Sequence, residues 1–559
     1  MRTLSQAAAL GYTWTVTRAS LLEIRMSFTH MRAGKQPPFL GGASMQDLYG
    51  IPGLPTFSDL TGCLSTQNIT GFTTGIIGRQ ATNPQFQHPT TWNPKVNYTW
   101  MKGRHALKMG GELHLVHTQV MDINPVYGLL GYSGSFSKPT CAQLGQPSTC
   151  TVANDAASYN LADFMFGLPN QIQLANWLVG NYRQRDYFLY LEDDFRVSSK
   201  LTLNLGLRCE FATPRWERDN VLSNYDPITN SMIKAKDGGL YDRTLVNPDY
   251  RDWAPRLGLA YSINPKTVFR GGYGISYVHL NRLGSADELG INGPQVNIAT
   301  INQSIPAGGA VPASFLTTQN AFPAGLASPA NFNPVNANVA YIPRDTRWPY
   351  VQTWFASLQR ELRKSWVIEL GYTGSHSLRV PILSDYNEAL PNQPGQSLGT
   401  QARRPNQVFG AITWVDPAGQ SSYNGLSARV EHRFASGLYF LNSFTWAKAL
   451  GNTEQALENN VTVQNVRDLK NERGRTSYDV TLLNVSSLVY RLPFGKGRTF
   501  GASWNGVLDA IAGGWELNTI NTANSGLPLN VVYTPSSALD ATGRLAEWRG
   551  VASQRPNLV

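Results

Sequence analysis

LTLNLGLRCEF, residues 201–211, alternates without a break. Leu201, Leu203, Leu205, Leu207, Cys209 and Phe211 fall on one face, and Thr202, Asn204, Gly206, Arg208 and Glu210 on the other. A two-residue period is that of a β-strand, and roughly ten residues is the length a tilted strand needs to cross a bilayer. The same split separates Leu22, Ile24, Met26 and Phe28 from Glu23, Arg25, Ser27 and Thr29. It also separates Leu426, Ala428, Val430, His432 and Phe434 from Ser427, Arg429, Glu431 and Arg433. Soluble sandwiches alternate too, so the decision falls to the connections.

Candidate strands pair across short turns at 17–19, 102–104, 198–200, 264–266, 363–365 and 435–437. Between pairs the links are long and rich in Pro, Gly and Asn, at about 31–92, 119–183, 213–252, 280–350, 376–421 and 451–475. Compact soluble domains rarely hold even one such loop. Barrels of the bacterial outer membrane hold many, because their turns are short on the periplasmic side and their loops long on the cell surface. About seven hairpins, hence about fourteen strands, are legible, the last hairpin closing through a longer Gly-rich link. Tyr12, Trp14, Trp100, Trp354, Trp366, Trp446 and Trp515 stand towards strand ends, as interfacial aromatic girdles would. The expectation is an all-β chain: a transmembrane antiparallel β-barrel wall occupying residues 1–559, in contact with outer-membrane lipid.

Composition agrees. Charged residues are 15% of the 559, below the roughly 25% of soluble domains, while there are 51 Gly and 33 Pro. No run of 18 or more apolar residues exists to form a spanning helix. The formal charge of +10 is scattered rather than clustered, so a nucleic-acid partner is not expected. GxSxG, HExxH, GxxxxGK[ST] and paired CxxC motifs are missing, which removes the minimal residues of the common hydrolases, zinc sites and P-loops. No catalytic residue, cofactor or metal site is expected. His114 and His117 lie on opposite faces of a strand and cannot share a metal. Glu192, Asp193 and Asp194 read as charges at the interface or lumen wall. Cys141 and Cys150 enclose a polar loop and are a candidate disulfide in an oxidising compartment. Arg208, Glu210, Arg270, Arg360, Glu369, Arg429 and Glu431 are candidate lumen-facing groups for cargo or plug, or for cross-strand ion pairs.

Several segments resemble one family, the Oar-like TonB-dependent receptors. They are YFLYLEDDFRVSSKLTLNLGLRCEF (187–211), WAPRLGLAYSINPKTVFRGGYGISY (253–277), PYVQTWFASLQRELRKSWVIELGYTGS (349–375), SSYNGLSARVEHRFASGLYFLNSFTWAKAL (421–450), VYRLPFGKGRTF (489–500) and GGWELNTINTANSGLPLNV (513–531). The resemblance implies an outer-membrane receptor of about 22 strands, whose surface loops capture a ligand and whose plug couples to the TonB complex. Such receptors open with a signal peptide, a carboxypeptidase-regulatory-like domain and the plug, none of which is recognised before Leu10. Residues 555–559 fall where the resemblance places a loop before the last strands. Where the family has an Arg-His pair after Asp-Val, this chain has Thr481 and Leu482 after Asp479 and Val480. The expectation is therefore a barrel fragment, about fourteen of 22 strands, not competent alone because open edges do not persist in hydrocarbon. The extracellular ligand is not legible. A surface adhesion or structural protein without transport is the alternative, and upstream coding sequence for a plug discriminates the two. A soluble secreted β enzyme is a third reading, which membrane fractionation tests.

Overall fold

The computed structural model describes residues 3–529 except 73–76, 148–155, 280–288, 291, 306–310, 364, 391–395, 397, 436 and 454–464. Its main sheet has 17 strands, three of them segments of two or three residues at the rim. The other fourteen form the wall: β1 (Leu4–Thr17), β2 (Ser20–Lys35), β3 (Gln85–Lys102), β4 (His105–Met121), β5 (Gly180–Arg196), β6 (Leu201–Ala212) and β7 (Trp253–Asn264). Then follow β8 (Thr267–Tyr277), β9 (Tyr350–Arg363), β10 (Trp366–Asp385), β11 (Ile412–Ala435), β12 (Leu438–Gly451), β13 (Leu482–Arg491) and β14 (Glu516–Asn524). Each pairs antiparallel with its sequence neighbour, an unbroken meander, and among the described residues β1 and β14 do not meet.

Register carries the alternation from strand to strand, because residues directly opposite share a face. One outward row runs Leu203, Leu259, Gly271, Ala356, Tyr372, Leu426 and Trp446. The inward row beside it runs Thr202, Ala260, Arg270, Ser357, Gly371, Ser427 and Thr445. Tight turns close one end. In the β3–β4 hairpin Lys102 pairs with His105 around two residues, and Gly103 takes φ 62°, the left-handed value such a turn requires. One polar cluster on the outward face satisfies itself. Asn442 donates to Asn484 (2.9 Å) and Ser486 (2.8 Å), and Asn484 donates to Ser486 (3.2 Å), so the three satisfy one another on a face where water cannot.

The strands outrun the limits expected from alternation. β2 continues to Lys35 and β3 starts at Gln85 inside the expected 31–92 loop, and β10 and β11 reach Asp385 and Ile412 inside 376–421. Above the hydrocarbon the outer face no longer needs to be apolar, so the period-two signal fades while the hydrogen-bonded ladder goes on.

The loops are also structured. A four-stranded sheet of Ile298–Asn302, Gln171–Ala175, Leu129–Tyr132 and Thr66–Ile69 draws on three different loops. It buries a core that includes Met45, Leu60, Val126, Tyr127, Leu130, Tyr132, Ile172 and Phe322. Two buried asparagines sew further loops together by imitating backbone. Asn292 donates to Ser223 O and Ala340 O and accepts from Ala340 N. Asn224 donates to Ile342 O and accepts from Ile342 N.

Candidate ligand-binding lumen and loop assembly

Inside the wall, Phe188 on β5 is a hub, 6% exposed and aimed at the lumen. The Arg208 guanidinium lies 4.6 Å from its ring centroid, and the His114 and His279 rings lie at 5.1 and 5.4 Å. These groups are tied to carboxylates. Arg208 Nε donates to Glu210 (2.8 Å), and His279 Nε2 lies 3.0 Å from the other Glu210 oxygen. His114 Nε2 lies 2.8 Å from Glu112 and its Nδ1 lies 3.7 Å from Asp186. Glu112 is also 3.6 Å from Lys95 and 3.8 Å from Arg208, and accepts from Asn93 (3.1 Å). A continuous band of ion pairs and hydrogen bonds thus crosses β3 to β6 and ends on the segment after β8. Burial in one connected network makes such pairs count for more than exposed ones.

The expected lumen groups separate into three arrangements. Arg208 and Glu210 join the band. Arg429 and Glu431 bond each other at 3.0 Å, and Glu369 stands opposite Arg429 across the β10–β11 ladder. Arg270 donates to Gln359 at 2.8 Å. Arg360 is a correction: it pairs with Thr267 and Ile368, in the same outward set as Phe269, Leu358 and Leu370, so it does not face the lumen. Gln359, Arg360 and Glu361 are all polar, and polarity alone gives no parity there. Its place three residues before the turn puts Arg360 at the interfacial end, where a long cation can reach water.

Of the acidic triplet, Asp193 is outward and lies 2.7 Å from His105 Nδ1, whereas Asp194 is inward and accepts from Lys108 at 2.8 Å. His114 faces inward opposite Asp186, and His117 outward opposite Arg183. No group of three His, Cys, Asp or Glu positioned to hold a metal occurs among the described residues. Sequence reading missed Glu112, Asp186, His279 and Asp252. The first two alternate correctly and could have been found by extending the parity of β4 and β5. The last two lie outside strands.

Asp252, 2% exposed, sits just before β7, and its Oδ2 has no hydrogen-bond partner. Burial, then the charge of Asp249, push its carboxyl up to about 7, while His279 and Arg379 pull the other way and Glu210 adds to the rise. A carboxyl whose folded value lies above its unfolded one holds its proton better when folded, so stability falls as pH rises from about 4 to about 7. Asp252→Asn is therefore expected to raise the unfolding temperature at pH 8 and leave it unchanged at pH 4; equal shifts at both values would contradict the burial of an ionising group.

In the loop assembly, Tyr132 donates to Gln67 (2.9 Å) and shares a bond with Thr318 (2.9 Å), and burial pushes its hydroxyl up to about 12. The Arg79 guanidinium stacks 3.9 Å from the Tyr127 ring and donates to Gly62 O. Cys141 is disulfide-bonded, and Cys63 and Cys209 are free. Cys150, the expected partner of Cys141, lies outside the described residues, as do residues 530–559. Thiol titration of the unfolded, unreduced protein should count the two free thiols and no more; four reactive thiols would rule out a disulfide.

An antiparallel wall that is apolar outside, polar inside and tight-turned at one end is that of a bacterial outer-membrane β-barrel. The chain belongs to the outer membrane beta barrel domain family, which it matches over residues 2–559. None of the curated proteins compared matches the sequence. Among solved structures it is similar to the outer membrane transporter YddB from Escherichia coli, at 11% identity, covering 93% of this chain and 55% of that one with a TM-score of 0.46. It is similar to the FrpB iron transporter from Neisseria meningitidis (F5-1 variant, apoprotein form), at 12% identity, 87% and 49% coverage and TM-score 0.38. A third is the pyoverdine outer membrane receptor FpvA from Pseudomonas aeruginosa PAO1 bound to pyoverdine, at 10% identity, 88% and 48% coverage and TM-score 0.39. The chain spans about half the length of these structures.

Proposed function

We propose that the protein is barrel wall and surface loops of an Oar-like TonB-dependent receptor, which binds an extracellular ligand for energised uptake and is not an enzyme. The observation that carries this is the loop assembly: segments from three loops share one hydrophobic core at the barrel mouth, above a lumen wall lined by the Glu112–Arg208–Glu210 band. A mouth built this way holds a fixed surface to the outside. The polar wall below it supplies donors and acceptors to a plug or to passing cargo. In this reading a plug domain from outside these 559 residues occupies the lumen and connects to the TonB complex.

The test is uptake by the producing bacterium of a panel of glycans, peptides and metal chelates, with the gene deleted and with TonB inactivated. Uptake of one compound lost in both strains supports the proposal. Surface binding that needs this gene, with no TonB-dependent uptake of anything in the panel, would favour the adhesion reading instead.

A further inference from the structure

Where the loop ends of β2 to β5 rise out of the hydrocarbon band, the outward face changes from apolar to basic. The last apolar row is Phe28, Trp92 and Leu115, paired across β2, β3 and β4. The same row continues on β5 as Arg185, and one residue pair higher it runs His30, Thr90, His117 and Arg183. Trp216 on the rim segment pairs with Arg183, and the Arg185 guanidinium lies 5.5 Å from the Trp216 ring centroid. Arg32 and Arg185 are exposed and Arg183 is half-buried. Among the described residues none of these three has a carboxylate within 4.0 Å, as the inward Arg208 and the rim residue Arg218 do, although Glu217 and Asp219 lie close enough to Arg183 to act on its charge.

A groove of about 680 Å³ opens on this same band, bounded by Arg32, His88, Gln119, Asn181 and the exposed carboxylate of Asp59, with Phe86 and Trp177 as its apolar side. Its wall is braced from within: Phe86 and His88 stack at 4.7 Å, and His88 Nδ1 lies 3.2 Å from Gln119. Unpaired guanidiniums immediately above an apolar belt, beside a groove with one apolar and one polar side, fit a molecule with acyl chains below and anionic groups above. Basic clusters at that height draw phosphorylated headgroups, each cation adding roughly tenfold or less to binding.

We propose that this patch is a binding site for the phosphorylated headgroup of a glycolipid in the outer leaflet. Arg183 and Arg185 hold one phosphate against the Trp216 edge. Arg32, with His88 and Gln119, faces a second polar group in the groove. The site is on the outside of the wall, so it is separate from the lumen and from cargo. Its role is to fix the barrel's lipid collar beneath the loop assembly.

The full-length gene product that contains these residues is recovered from the outer-membrane fraction in mild detergent, and bound lipid A is quantified by mass spectrometry. The triple substitution Arg32→Gln, Arg183→Gln and Arg185→Gln is expected to lower bound lipid A about tenfold or more. The matching triple Lys substitution should retain clearly more than the Gln triple, since an ammonium also attracts phosphate, but less than the parent, since it neither stacks on Trp216 nor forks two hydrogen bonds to one phosphate. Lys102→Gln, on the outward face at the opposite, tight-turn end, is the control and should change nothing. All variants must show the same heat-modified gel shift, which separates lost binding from lost folding. Vesicles of phosphatidylcholine with bisphosphorylated or dephosphorylated lipid A then identify the recognised group: only the phosphorylated form should compete. Undiminished lipid in the triple Gln protein, or equal competition by dephosphorylated lipid, overturns the proposal. So does displacement by millimolar inorganic phosphate, which would mark a free-anion site.

Discussion

Phe322→Ala should detach the loop assembly while leaving the barrel wall intact, at a cost of about 3–5 kcal/mol to the loop core. Phe322 is 1% exposed and packs against two glycines, one at its backbone and one at its ring. Gly53 has φ 87°, and a Cβ there would stand 1.7 Å from Phe322 O. A Cβ on Gly128 would stand 2.5 Å from Phe322 Cζ. Phe322 therefore clips its own loop to two others, with its backbone against Gly53 and its ring against Gly128, through contacts that leave no room for a side chain at either glycine. Truncation keeps the backbone contact with Gly53 but takes the ring away from Gly128, leaving a cavity in the shared core, so the cost falls within that range. Hydrogen exchange reads the result: amides of 122–134 and 171–175 should lose protection by a hundredfold or more, with β6 and β7 unchanged. Unaltered exchange in those loop segments would show that the shared core does not hold them.

Glu210→Ala should cost about 3 kcal/mol, at the low end for breaking a buried charge pair. Glu210 is 7% exposed and serves both Arg208 and His279. Arg208 keeps Glu112 at 3.8 Å, which limits the loss, but the His279 side chain is left 9% exposed beside Phe188 with no carboxylate at its Nε2. The Arg208→Ala, Glu210→Ala double variant should lose less than the two single losses added, because the second removal takes away a charge already stranded. The measurement is the unfolding midpoint in detergent for the four proteins of the cycle. A single-variant loss within about 0.5 kcal/mol of zero, the range of an unconnected surface site, would mean the band is not formed.

The wall was legible because one physical constraint, lipid outside and water inside, acts on every residue of a segment such as 201–211. Where that constraint lapses the reading failed in definite ways. Arg360 sits among polar neighbours near a turn, so parity left no trace. The upper parts of β2, β3, β10 and β11 lie beyond the hydrocarbon and lose their apolar face. The loop core could not be read at all, since Met45, Tyr127, Ile172 and Phe322 come together from four stretches with no period linking them. For the lumen, Arg208 and Glu210 were visible on the strand that decided the fold. Their partner His279 lies on an irregular segment, where nothing in the local sequence marks it as inward.

The claim on which everything else rests is that each wall strand turns alternate residues to lipid and to water. A nitroxide scan from position 201 to 211, in protein lacking Cys63 and Cys209 and held in lipid bilayers, tests it directly. Collision rates with oxygen should peak at positions 201, 203, 205, 207, 209 and 211, and rates with a water-soluble nickel chelate should peak, out of phase, at 202, 204, 206 and 208. Rates that vary smoothly along the segment, or that alternate with water at the leucines, would contradict a membrane-spanning barrel.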